Sequence, residues 1–139
     1  MSTLERLIQG LGIKTVGDQI NVANFPDPHG KPPKEYKLYS YPTPITAITV
    51  LEMIEADGYT PADLYDLLQW AQENWNGQSF VIGLNSIYEY QMKNKAIPPV
   101  PSVPALLYRG TLKSKSLALD AMVQTWTPKA NFLAVKRGK

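Results

Sequence analysis

Cysteine is absent from all 139 residues. That excludes disulfides, thiolate nucleophiles and cysteine-ligated metals. It also fits a reducing compartment, so the expected location is cytoplasmic or virion-associated. Histidine occurs once, as His29. A lone imidazole in a Pro/Gly segment, with no second ligand at a suitable spacing, makes neither a metal site nor a catalytic set. Charge is sparse, at 19% of residues, and the net +2 is too small to point to nucleic acid by itself. Long apolar runs are missing too: no window approaches 18 apolar residues, so no membrane span is expected. Glu5 and Arg6 interrupt what would have to be the apolar run of a signal peptide. No phosphate-cradling glycine loop, H-E-x-x-H motif, calcium loop or internal repeat is found. The expectation is therefore no cofactor, no metal and no enzyme, with a hydrolase or transferase role as the last alternative.

What is present is 44% hydrophobic sequence in a chain of single-domain size. The division expected is an N-terminal helix and Pro-rich arm over 1–42, then an α+β domain over 43–139. Ser2 or Thr3 caps a first helix whose apolar positions, Leu4, Leu7, Ile8 and Leu11, follow helical spacing before Gly10 and Gly12. Ile20, Val22 and Asn24 alternate as a short strand would. Residues 26–33 hold four prolines, which fix φ and remove backbone donors, so a loop is expected there. Residues 35–41 alternate tyrosine and leucine and predict a strand.

The centre of the chain is residues 43–75. Thr43-Pro44 and Thr60-Pro61 read as two helix starts, each with a threonine cap and a proline in the first turn. The first helix would bury Ala47, Val50, Leu51 and Ile54 and end at Gly58. The second would bury Leu64, Leu67, Leu68, Ala71 and Trp75. This stretch carries six carboxylates (Glu52, Glu55, Asp57, Asp63, Asp66, Glu73) and no Lys or Arg. From Lys93 onward there are nine basic residues and only Asp120 on the acidic side. Such polarity is what an acidic helix face beside a basic sheet face produces; the sharper alternative is a basic face that meets an acidic partner.

Downstream, residues 79–84 form an apolar, β-branched run expected as a central strand, continued by Ile87, Tyr88 and Tyr90. Pro98, Pro99, Pro101 and Pro104 give P-x-x-P spacing twice and predict a stiff loop between strands, or a polyproline docking segment. Strands are predicted at 105–109, where Gly110 ends the run, and over 113–119, where Lys113, Lys115, Leu117 and Leu119 alternate. The last strand, 131–136, is apolar enough to require internal pairing, with an early strand as its partner.

Two segments carry a resemblance. GYTPADLYDLL (58–68) is similar to the segment leading into the second helix of cysteine-free prokaryotic and phage domains of the C-type-lectin-like fold. Trp126 followed by Phe132, Leu133, Ala134, Val135, Lys136 and Arg137 looks like their closing motif. The resemblance implies a two-helix layer packed on a small, irregular, mostly antiparallel sheet, together with a general binding habit. It implies no particular ligand. The chain lacks the cysteines of formylglycine-generating enzymes and the Glu-Pro-Asn and Trp-Asn-Asp signatures of calcium-dependent lectins. Residues 112–131 are rich in Lys, Ser and Ala, unlike retroelement-diversified surfaces.

The function expected is a non-enzymatic macromolecule-binding module, with recognition through loops between residues 85 and 131. Its candidate contacts are Tyr88, Tyr90, Tyr108, Lys113, Lys115 and Trp126, because aromatics and cations supply most anchor energy at interfaces. The partner would be a protein or other macromolecule, an acidic one on the sharper reading of the charge distribution. The alternative is a small structural or assembly protein, such as a phage virion component or a homo-oligomer, whose Pro-rich arm lies along a neighbour.

Overall fold

The computed structural model describes residues 2–28, 32–91 and 93–137; His29 lies outside them. In chain order the elements are α1 (Thr3–Gly10), β1 (Thr15–Val16), β2 (Pro33–Ser40), β3 (Ile45–Thr46), α2 (Ala47–Ala56), β4 (Thr60–Pro61) and α3 (Leu64–Asn74). There follow β5 (Phe80–Ile82), β6 (Tyr88–Tyr90), β7 (Val100–Arg109), β8 (Ser114–Ala121), β9 (Thr125–Trp126) and β10 (Ala130–Arg137). This is an α+β domain on a mixed sheet. Its main path runs β1-β8-β7-β5-β10-β2, while β4 pairs with β10, β6 with β7, and β3 with β9 separately. Pairings β1–β8 and β5–β10 are parallel and the others antiparallel.

Alternation along the central strands builds two cores. On β10, Leu133 and Val135 face α1 and α3, joining Leu4, Leu64, Leu67, Leu68, Val81, Leu106 and Leu117. Phe132 and Ala134 face the other way, joining Val50 and Ile54 of α2 with Tyr39, Ile82, Ala105 and Trp126. Each fully buried Leu, Ile or Phe contributes roughly 1.5–3 kcal/mol, so both faces of the sheet must stay covered. The two-helix layer expected from the sequence is thus corrected: α2 and α3 lie on opposite faces. Nothing local could have shown it, because the side taken by each helix depends on where its flanking strands enter the sheet. Residues 1–42 share the first core through Leu4, Leu11, Ile20 and Phe25.

Helix ends explain several boundaries. Ser2 and Glu5 form a capping box on α1. At the end of α2, Gly58 takes φ +81. Its N–H donates to Glu55 O (2.9 Å), and Tyr59 N–H donates to Ile54 O (3.1 Å), which closes a Schellman turn that glycine makes cheaply. Neither Thr-Pro pair caps a helix. Thr46 caps α2, and Asp63, with Asp66 in a capping box, caps α3. The residue before a proline is driven toward extended backbone, and Thr60 and Pro61 instead pair with Val135 and Ala134.

Two other expectations change. Residues 20–24 form turns, and the early strand is β1. The proline run is loop only in part: Pro98 and Pro99 precede β7, but Pro101 and Pro104 lie inside it. Pro104 O accepts from Gly83 N–H (3.1 Å), so its nitrogen also faces that side and no ladder donor toward β8 is lost. The early partner of the last strand is β2, whose register runs from Asn131↔Ser40 to Arg137↔Pro33.

Candidate functional site

Most of the segment between residues 85 and 131 is strand rather than loop, and the six expected contact residues separate into two groups. Three are bound into the structure. Trp126 is 2% exposed; its indole N–H donates to Asp120 Oδ2 (3.0 Å), and its ring meets Phe132 edge-on at 5.3 Å. Lys115 donates from Nζ to Leu11 O (3.1 Å) and lies over the Trp75 ring at 5.9 Å. Tyr88 is half-buried, donates to Gln19 Oε1 (2.8 Å), and stands 5.9 Å from the Phe25 ring.

The other three are exposed but do not share a surface. Tyr90, opposite Val100, marks the beginning of β7. Tyr108, opposite Lys115, marks its end, and Lys113 sits in the turn beyond with φ +48. At about 3.3 Å per residue, Tyr90 and Tyr108 stand roughly 26 Å apart along the strand.

The beginning of β7 holds what residue-by-residue reasoning missed. On the α1/α3 face, a cleft of about 550 Å³ is lined by Gln19, Tyr90, Val100, Leu119 and Ala121. Back to back with it, on the α2 face, a cleft of about 410 Å³ is lined by Ala47, Ile48, Pro101, Met122 and Val123. Ile48 is 70% exposed and Val123 78%. The available signal was weak: Ile48 stands between the inward-facing positions of α2, and Val123 lies in the turn before β9.

The charge asymmetry is partly satisfied inside the chain. Asp57 accepts from Lys37 Nζ (3.0 Å) and from the Tyr39 hydroxyl (2.7 Å). The Tyr39 bond foremost, then Lys37, holds its carboxyl below the usual range, while burial foremost, then the Asp57 bond, raises Tyr39. Arg137 Nη2 donates to Asp66 Oδ1 and Oδ2 (2.9 and 2.8 Å) and lies 3.7 Å from Asp63 Oδ2. Burial raises the Asp63 carboxyl, the Asp66 charge adds to the rise, and Arg137 and the Asp66 amide oppose it. Each of these groups ties a helix end to β2 or β10. Among the described residues, no three His, Asp or Glu side chains converge as a metal site would need, and no helix is long and apolar enough to cross a membrane.

No protein-family model matches this chain, and no curated protein or solved structure is similar enough to count as a match.

Proposed function

We propose that this chain is a non-enzymatic binding module for a protein partner, C-type-lectin-like in its closing segments, whose contact surface surrounds the beginning of β7. The observation that carries the reading is the pair of back-to-back apolar clefts there, with Ile48 and Val123 exposed beside them. Interface cores are apolar and aromatic, with charge displaced to the rim. Tyr90, Val100 and Leu119 supply the first character, and the exposed Lys93 and Lys95 in the preceding loop supply a basic rim for an acidic partner. The resemblance rests on the way its two segments meet, and not on a shared helix layer, since α2 and α3 lie on opposite faces. Thr60 and Pro61 pair with Val135 and Ala134, and Arg137 grips Asp66. A second reading, a small structural or assembly protein, is favoured by β2, the strand at one end of the sheet, whose outer edge pairs with no strand among the described residues.

The test is capture from source lysate with wild type, an Ile48→Asp/Val123→Asp variant, and a control Leu112→Asp at the far turn, where Leu112 is 57% exposed. The double variant should lose the partner and the control should retain it, with unchanged thermal unfolding in both. If the double variant retrieves the same partner equally well, the surface is wrong.

A further inference from the structure

The outer edge of β2 has a defined hydrogen-bonding pattern. In antiparallel pairs a residue's N–H and C=O share one side of the strand, and the side alternates along it. Leu133 O accepts from Ala62 N–H (3.0 Å) and Val135 O from Thr60 Oγ1 (3.3 Å), so both face β4. Their partners across the ladder, Leu38 and Tyr36, therefore direct their backbone groups away from β10, onto the open edge, whereas Lys37 and Tyr39 direct theirs inward. Side chains on that edge are correspondingly uncovered: Tyr36 is 37% and Leu38 43% exposed.

We propose that this edge pairs with the same edge of a second copy of the chain, antiparallel about a two-fold axis at Tyr36. The choice of occupant and register follows from charge. An axis at Tyr36 sets Glu35 opposite Lys37 of the other copy, twice, and lets the two Tyr36 residues exchange both backbone hydrogen bonds. An axis at Lys37 would set lysine against lysine, and an axis at Leu38 would set Lys37 against Tyr39 with no ion pair. Opposite charges directly across a ladder stabilise it, and like charges destabilise it. Only one of the three registers is self-complementary in charge, and an isologous interface requires self-complementarity. The sheet would then run unbroken through both copies, with the Leu38 side chains added to its apolar face. The Lys37–Asp57 and Tyr59–Glu35 contacts stay on the same face, beside the new pairs. The proposal deepens the assembly reading and rests on it; it does not involve the clefts at β7.

Sedimentation equilibrium across a hundredfold concentration range tests it, with amide hydrogen exchange on the same samples. Wild type should form a concentration-dependent dimer, with the Tyr36 and Leu38 amides protected only in the dimer. Glu35→Lys and Lys37→Glu should each weaken the dimer at least tenfold. Their equimolar mixture should regain it, because the mixed pair restores both ion pairs. A dimer unaffected by either change, with Tyr36 and Leu38 unprotected, would overturn the proposal in favour of another face. A monomer at every concentration would overturn it as well, and the exchange data then separate two cases. Fast exchange leaves the edge open to a foreign strand, so assembly survives without self-pairing. Slow exchange means the chain covers its own edge, and the assembly reading through β2 fails with it. Because exchange is read on wild type, the outcome stands even if a variant folds poorly.

Discussion

Replacing Asp66 with alanine removes two jobs at once. Its carboxylate accepts the Asp63 N–H (3.1 Å) as half of the α3 capping box and accepts both contacts from Arg137 Nη2. The Asp63 cap itself stays in place, and losing the reciprocal hydrogen bond of the box costs about 1 kcal/mol. The ion pair is intermediate in character: the side-chain exposures are 32% for Arg137 and 7% for Asp66. Exposed pairs are worth about 0–1 kcal/mol and broken buried ones about 3–5 kcal/mol, so a third-exposed guanidinium that can relax toward Asp63 places this loss near ~1–2 kcal/mol. Relief of the Asp63–Asp66 repulsion and the better helix propensity of alanine return a few tenths. The net cost is about 2 kcal/mol, which for 139 residues lowers the midpoint of thermal unfolding by roughly 7 °C. Urea unfolding followed by tryptophan fluorescence measures it, because Trp70 and Trp126 are both buried and report loss of the core. Arg137→Met should cost less, and the double variant should fall short of the sum by about 1 kcal/mol, as coupled partners do. A cost below about 0.5 kcal/mol, or strict additivity, would refute the assignment of Asp66 as the joint between α3 and β10.

Asp57 should govern part of the acid limb. Its carboxyl is held below the ordinary value, so its stabilisation is present above the unfolded-state pKa and is lost as pH falls through the lower folded-state one; Asp57→Asn should flatten stability against pH in that window, and an unchanged profile would count against the Tyr39–Asp57 bond. Lys113 holds φ +48 in an exposed turn, a conformation that L side chains adopt at a cost, so Lys113→Gly should raise stability by about 0.5–1 kcal/mol in urea unfolding.

Local chemistry made the helices legible. Ser2 before α1, Gly58 after α2, and the Leu64, Leu67, Leu68 spacing of α3 all act within a turn or two, and the structure carries them as read. Misreadings arose where a local signal met a non-local ladder. Thr60-Pro61 carries a helix-start pattern, but β10 runs alongside it and the pre-proline preference for extended backbone prevails. The prolines of 98–104 look like a loop because the partner that makes Pro104 harmless, Gly83, lies 21 positions away. The expected contact residues failed to converge for a related reason. Period-two alternation reveals that Lys115 lies on a particular face, but not that Leu11 and Trp75 already engage its side chain there, and nothing local shows that Asp120 already holds Trp126. Conversely, Ile48 and Val123 come together only because β3 pairs with β9.

The long ladder between β2 and β10 has a kinetic consequence. Its paired residues, from Ser40 and Asn131 to Pro33 and Arg137, are separated by 91 to 104 positions, so loop closure must be met before the ladder returns any stabilisation. Strand β10 also receives β4 and β5, which makes it the hub on which the sheet condenses. Folding should therefore be slow for a domain of this size, in the millisecond-to-second class of topologies dominated by distant contacts. Until the hub forms, the apolar run of β10, Phe132 to Val135, stays uncovered, and that interval is when the chain most needs protection from aggregation.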